Sequence, residues 1–109
     1  MSTVYKILGQ SAPSTTTNTD VYTVPSATQS VISTITIANR ANTAATYRIA
    51  IRPNGATIAN QHYIAYDASV PANDTIALTL GLTIDAADVV TVYASSANLS
   101  FGIFGSEIA

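Results

Sequence analysis

The sequence predicts an all-β protein, an antiparallel β-sandwich of about eight short strands arranged like a jelly roll. Short segments rich in β-branched residues alternate apolar and polar side chains with a period of two, which is the pattern of half-buried strands. Turn signals such as Asn54-Gly55 separate these segments at short spacing. No segment combines the apolar periodicity and the end signals of a helix. Closure of the strands into a single cylinder is the alternative architecture.

The longest alternating stretch is Ser30–Pro53, which we interpret as a central β-hairpin with its turn at residues 39–44. The side chains expected in the core alternate along both arms: Val31, Ile35, Ile37, Tyr47, Ile49 and Ile51. The opposite side of this hairpin carries Thr34, Thr36, Arg48 and Arg52, and Arg40 lies in the turn. Consecutive antiparallel hairpins are expected along the rest of the chain.

Six further segments are predicted as strands: 4–9, 20–24, 62–67, 75–83, 89–94 and 99–104. In the segment 75–83, one face is expected to be buried as core, and it comprises Ile76, Leu78, Leu80 and Leu82. In the last segment Leu99, Phe101 and Ile103 are expected to point inward. For residues 56–60 the sequence does not distinguish a short strand from an irregular connection. Residues 105–109 are expected to form a tail.

A chain of 109 residues predicts one domain spanning residues 1–109, which buries roughly 65% of its unfolded surface. There is no cysteine, which excludes disulfides and cysteine-based metal sites. No segment approaches the roughly 18 apolar residues of a membrane span. The first ten residues lack the features of a secretory signal, so we expect synthesis in the cytoplasm and no membrane partner.

Charged residues make up only 9% of the chain, against about 25% in ordinary globular domains, and the net charge is −2. This balance gives no reason to expect nucleic acid binding, because neutralising phosphates requires clustered Lys and Arg. Monomeric β proteins usually guard their sheet edges with charges, and this chain has few. We therefore expect a homo-oligomer and predict a trimer. A Thr/Ser-rich sandwich with short edges is the alternative explanation.

The residues that could carry chemistry favour structural roles, so we expect no enzyme, no cofactor and no metal. His62 is the one histidine, and a catalytic triad would need a base aligned with a nucleophile and a carboxylate. Asp85 and Asp88 could bind calcium, but they more simply provide turn and strand-cap oxygens. The six tyrosines could form a carbohydrate or partner platform, although half-buried tyrosine is ordinary in sandwiches.

Three arginines are the candidate protein-interface residues: Arg40, Arg48 and Arg52. They are three of the four cationic side chains of the chain. One interpretation is a solvated strand face. The other is a set of ion pairs to a neighbouring subunit, for which the bidentate geometry of arginine is suited.

Three stretches carry a resemblance to a known group of proteins: residues 21–25 (VYTVP), residues 35–40 with 46–53 (ITIANR and TYRIAIRP), and residues 89–95 with 98–101 (VVTVYAS and NLSF). With these stretches, nearly the whole chain resembles small virion structural proteins of tailed bacteriophages, particularly those of cyanobacterial phages.

The resemblance implies a virion protein that is made in the host cytoplasm and assembles with copies of itself. It implies a capsid decoration (cement) protein that bridges major capsid proteins, or a component of the tail, baseplate or fibre. A carbohydrate-binding role in host adhesion is a further alternative. The resemblance transfers no active-site residue.

Overall fold

Eight strands in two packed antiparallel sheets make up the computed structural model, which describes residues 2–109. In chain order they are β1 (Thr3–Ser11), β2 (Thr19–Thr23), β3 (Gln29–Asn39), β4 (Ala45–Arg52), β5 (Tyr63–Val70), β6 (Thr75–Ile84), β7 (Val89–Ala94) and β8 (Leu99–Ile108). Two single 3-10 turns, Pro53–Gly55 and Asn60–His62, lie between β4 and β5. The predicted β-sandwich is confirmed. None of the helical turns in residues 2–109 has the length and apolar character of a transmembrane helix.

The first sheet has the order β1-β8-β3-β6, and the second sheet has the order β2-β7-β4-β5. The pairs β1–β8, β2–β7, β3–β6 and β4–β5 are those of one long hairpin, folded so that successive pairs alternate between the two sheets. The pairs β3–β8 and β4–β7 then join these pairs into two four-stranded sheets. Each sheet therefore joins strands that are distant in the chain.

The predicted central hairpin is wrong, because β3 and β4 lie in different sheets and do not pair. Both strands bury an apolar face, and these faces pack against each other across the sandwich. The connection between them is held by Asn39, which is buried at the end of β3. Its Nδ2 donates to the carbonyl oxygens of Thr43, Val70 and Pro71 at 2.8, 3.3 and 3.2 Å. The stretch 40–44 is thus a crossover between sheets.

The core comes from the inner faces of both sheets, and most of the predicted positions are correct. Leu99, Phe101 and Ile103 of β8 point inward as predicted. Along β3, however, Ile32 is fully buried and Val31 is only half-buried, the reverse of the prediction. A register shift between Ile32 and Thr34 interrupts the alternation, so the residues before it lie one step out of phase with those after it.

The predicted leucine face of β6 is also only partly correct. Ile76, Leu78 and Leu82 are partly buried against the core, but Leu80 is 41% exposed. β6 pairs only with β3 and so forms an edge of the first sheet. Gly81 has a φ of +66°, in the left-handed region that favours glycine, and it lies within the register shift opposite β3.

Two further boundaries differ from the predicted ones. Residues 105–108 continue β8 and do not form a tail, and β5 runs on to Val70. His62 precedes β5 in a 3-10 turn, and residues 56–59 are irregular. The long connection 53–62 lies beside β4 and β7, so it covers part of the outer face of the second sheet.

Candidate interaction surfaces

Arg48 lies on the outer face of the second sheet, between two tyrosine rings. Its guanidinium carbon is 4.2 Å from the ring centroid of Tyr66 and 4.2 Å from that of Tyr93. Its Nε and Nη2 donate to the two carboxylate oxygens of Asp67 at 2.6 and 3.3 Å. This hydrogen bonding raises the pKa of Arg48. Three side chains thus hold Arg48 in one orientation, and Tyr63 packs edge-on against one of them, Tyr66, at a centroid distance of 4.8 Å.

Arg52 is the centre of a denser hydrogen-bond network on the same face. Its Nη2 donates to both carboxylate oxygens of Asp20 at 3.0 Å, and its Nε donates to the Thr91 hydroxyl at 3.0 Å. Its Nη1 donates to the carbonyl oxygens of Gly55 and Ala56 at 3.4 and 3.1 Å. The Thr91 hydroxyl in turn donates to Asp20 at 2.8 Å. Arg52 therefore ties β2, β4, β7 and the connection 53–62 together.

Arg40 lies apart from the other two arginines, in the exposed crossover after β3. Its Nε donates to the Ser100 hydroxyl at 2.9 Å, and its Nη2 donates to the carbonyl oxygen of Ala97 at 3.0 Å. Its backbone amide donates to the carbonyl oxygen of Asn98. These bonds join two loops at one end of the sandwich.

The structure thus brings Arg48 and Arg52 onto one face and leaves Arg40 at an end of the sandwich. All three have partners within their own chain, so an interface role for them remains a prediction. Thr34 and Thr36, which the hairpin interpretation placed beside the arginines, lie in the first sheet and on the opposite side of the molecule.

We predict that Arg52→Met lowers the free energy of unfolding by about 2 kcal/mol, because it removes bonds to three separate segments of the chain. Arg40→Met is the matched control, with an expected loss below about 1 kcal/mol because the Arg40 side chain makes only two hydrogen bonds, to Ser100 and Ala97, which lie close together in the chain. Urea unfolding followed by circular dichroism measures both. Equal losses in the two variants would contradict the structural role of Arg52.

The histidine and the aspartate pair have structural partners. His62 is buried, and its Nδ1 accepts a hydrogen bond from the Ala59 amide at 3.0 Å. The two carboxylate oxygens of Asp88 accept from the Asn54 and Asp85 amides, each at 2.8 Å. These are the turn and cap contacts expected from the sequence. Within residues 2–109, no group of three or more His, Asp or Glu side chains is placed to hold a metal ion.

A polar cluster that the sequence does not predict joins the two sheets near the end of β8. The Tyr22 hydroxyl donates to Glu107 Oε2 at 2.6 Å, and Lys6 Nζ donates to Glu107 Oε1 at 3.1 Å. Ser30 Oγ lies 2.6 Å from the Tyr22 oxygen. Since the tyrosine proton points to the carboxylate, Ser30 is the donor in this second bond. Burial, together with the bond to Glu107, raises the pKa of Tyr22 to about 12.

The bonds from Tyr22 and Lys6 lower the pKa of Glu107 below its ordinary value. A lowered folded-state pKa contributes stability above the unfolded pKa, near 4.3, and that contribution is lost as pH falls through the folded value. We predict that Glu107→Gln costs about 1 kcal/mol at pH 7 and that the difference from wild type shrinks below about pH 4.

Melting temperatures measured between pH 7 and pH 3 test this prediction. Tyr22→Phe is the companion variant, because it removes the donor that contributes most to lowering the Glu107 pKa. Its acid transition is expected at higher pH than that of the wild type. Parallel pH profiles for wild type and Glu107→Gln would show that Glu107 does not contribute in this way.

The outer face of the first sheet exposes apolar side chains from adjacent strands. Tyr5 and Ile7 of β1 are 84% and 53% exposed. Strand pairing places Tyr5 of β1 and Val31 of β3 at the same level across the sheet. It pairs Ile7 of β1 with Phe104 of β8 at the next outward-facing level, so all four side chains share the outer face. A Cβ added to Gly102 would lie 2.8 Å from the Phe104 ring, so this ring lies across Gly102. Tyr5, Ile7 and Phe104 therefore form an apolar patch on the β1 side of this face, and Ser106 separates Tyr5 from Val31.

None of the side chains that β1, β3, β6 and β8 direct to this outer face is charged. Charged side chains lie at its borders, where Arg40 bonds the Ser100 hydroxyl and Asp85 lies in a depression that Val31 and Thr83 also line. The charged residues of β1, β3, β6 and β8 are Lys6 and Glu107, which pair with each other. The register places both in rows with inward-facing residues, Lys6 with Ile32 and Glu107 with Ser30. The two other ion pairs, Arg48–Asp67 and Arg52–Asp20, lie on the second sheet. The two outer faces of the sandwich therefore differ sharply in charge.

Comparisons with protein-family models, with curated protein sequences and with solved structures found no match to this chain.

Proposed function

We propose that this chain is a structural subunit of a bacteriophage virion, specifically a capsid decoration (cement) protein that bridges major capsid proteins and associates with copies of itself. The observation that carries the proposal is that the strands of the first sheet direct only uncharged and partly apolar side chains to its outer face. A monomeric sandwich that is fully exposed to water gains solubility from charges on both faces. A subunit that is covered in an assembly does not need them on the covered face.

The finer fold assignment within this proposal is a jelly roll. The pairing of β1 with β8, β2 with β7, β3 with β6 and β4 with β5 supports it, because a folded long hairpin generates that order. Jelly rolls are frequent among viral capsid and lectin domains. That frequency is an analogy of fold, and it adds to the sequence resemblance without naming a position in the virion.

The mechanism in this proposal is mechanical, with no catalytic step and no cofactor. Ser2 and Ala109 exchange two backbone hydrogen bonds at 2.8 and 3.0 Å, which fixes β1 to β8 at one end of the sandwich. A rigid subunit of this kind would bury modest area at each junction between capsid proteins. Many such junctions act together, so small contacts add up to resistance against internal pressure.

The proposal is tested by the copy number of this protein in purified virions, which is measured by quantitative mass spectrometry relative to the major capsid protein. A decoration protein is expected in hundreds of copies per particle. A few to a few dozen copies would indicate a baseplate or fibre component, and an intermediate number would indicate the tail tube. Absence from purified virions would overturn the structural role.

A tail or fibre component that binds host-surface carbohydrate is the second candidate, and one observation favours it. Tyr66 is 58% exposed beside Arg48, Asp67 and Tyr63, which groups aromatic and planar polar side chains on one surface. Aromatic rings of this kind have an apolar body and a polar tip, which suits sugar rings. Binding to a glycan array that is lost in Tyr66→Ala and kept in Tyr5→Ala would support this candidate over the first.

A further inference from the structure

We infer that the outer face of the first sheet, to which the strands direct no charged side chain, is the surface through which two copies of this chain contact each other. Such a contact between identical faces is two-fold and takes the place of the trimer expected from the sequence. The inference rests on the proposed structural role, because it names the partner of the face that carries that proposal. Tyr5, Ile7 and Phe104 lie in the apolar patch of this contact, and Thr34 of β3 lies in the row with Ile7 and Phe104.

The size of the face is sufficient for a stable contact. Four strands about 4.8 Å apart, each of about ten residues at about 3.3 Å, give an area near 600 Å². Two such faces in contact would bury roughly 1,200 Å² in total, above the approximately 1,000 Å² expected of a specific interface.

The charge distribution favours a second copy as the occupant. When two identical faces meet, a charged side chain of one copy can come to lie opposite a side chain of the same charge from the other copy. Like charges directly opposed are destabilising. The part of this outer face that the strands of the first sheet form avoids this cost, because β1, β3, β6 and β8 direct no charged side chain to it. The second sheet carries both Arg48–Asp67 and Arg52–Asp20 on its outer side.

The edges of the second sheet are less suited to association than the face of the first. β2 is short, with five residues and a register shift beside Asp20. β5 has two register shifts, and Asp67 within it has a positive φ of 51°. Bulges and charges of this kind oppose edge-to-edge pairing. Of the two edges of the first sheet, β1 carries Lys6 and a register shift, and β6 has a register shift that contains Gly81 at a positive φ. Face contact is therefore the geometry proposed.

The test is the mass of the purified full chain by sedimentation velocity between about 1 and 100 μM. The wild type is expected to associate in this range. Ile7→Glu and Thr34→Glu are each expected to raise the dissociation constant at least tenfold, because each places a charge in the contact without a partner. Ser69→Glu is the matched control, on an exposed residue in the second sheet, and it should associate like the wild type. Circular dichroism is the check that every variant is folded.

Each other outcome has a defined meaning. Association that survives both Ile7→Glu and Thr34→Glu would overturn the assignment of this face while leaving self-association intact. Loss in Ile7→Glu but not in Thr34→Glu would indicate pairing along the edge of β1 and would also overturn it. A monomeric wild type at 100 μM would overturn the inference, whereas the virion role would still be decided by copy number. Loss in Ser69→Glu alone would move the contact to the second sheet.

Discussion

Asn39→Ala is expected to lower the free energy of unfolding by about 3 kcal/mol. The side chain is buried at the crossover between the sheets, and its Nδ2 donates to the carbonyl oxygens of Thr43, Val70 and Pro71. Its Oδ1 accepts a bond from the Ala41 amide at 3.0 Å. Alanine leaves several of these groups without a partner, and each such group costs about 1–3 kcal/mol when buried.

Asn42→Ala is the matched control for this prediction, because Asn42 lies in the same crossover and is exposed. Its expected effect is within about 0.5 kcal/mol. Guanidinium unfolding monitored by tyrosine fluorescence measures both variants. If Asn39→Ala were as stable as Asn42→Ala, the crossover would be held by backbone contacts and not by this side chain.

Gly105→Ala is expected to be similarly destabilising, by about 3 kcal/mol, with a melting temperature lower by roughly 10–20 °C. A Cβ at this position would overlap the Val31 carbonyl oxygen and would lie 3.1 Å from the Ile32 Cα. These are backbone atoms of β3, next to the register shift between Ile32 and Thr34, and they cannot move without disturbing the first sheet.

Gly102→Ala on the same strand provides the comparison for Gly105→Ala. Its Cβ would meet the Phe104 ring and the Thr36 hydroxyl, each at 2.8 Å. Both are side-chain atoms that can rotate away, so the expected loss is about 1 kcal/mol. Differential scanning calorimetry compares the two variants. A larger loss for Gly102→Ala would mean that β3 adapts at Gly105 more easily than the outer face does at Gly102.

The positions of the strands could be predicted from the sequence because alternation is a local property. The inward direction of Leu99, Phe101 and Ile103 follows directly from the period of two. The phase of Val31 and Ile32 could not be predicted, because a register shift depends on the partner strand. The exposure of Leu80 has the same origin, since Leu80 lies within the register shift of β6 opposite β3.

The pairing of the strands could not be predicted, because it is decided by contacts between distant residues. Ser30–Pro53 has the local pattern of a hairpin, yet its two arms pack face to face. The small number of charged residues draws attention to the candidate arginines in the sequence, but the sequence does not indicate which residues they bond to. Arg52 meets Asp20 across 32 residues, and Tyr22 meets Glu107 across 85. No local sequence signal connects residues that far apart.

The central position of β8 has a consequence for the order of folding. β8 lies between β1 and β3 in the first sheet, so that sheet cannot be completed until residues 99–108 have been synthesised. In contrast, β4, β5 and β7 of the second sheet are available earlier. Chains rich in such distant pairings fold slowly, in milliseconds to seconds. A nascent chain would therefore expose the unpaired β1 and the edge of β3 that later pairs with β8, and a truncation before β8 would remove the middle of a sheet rather than its edge.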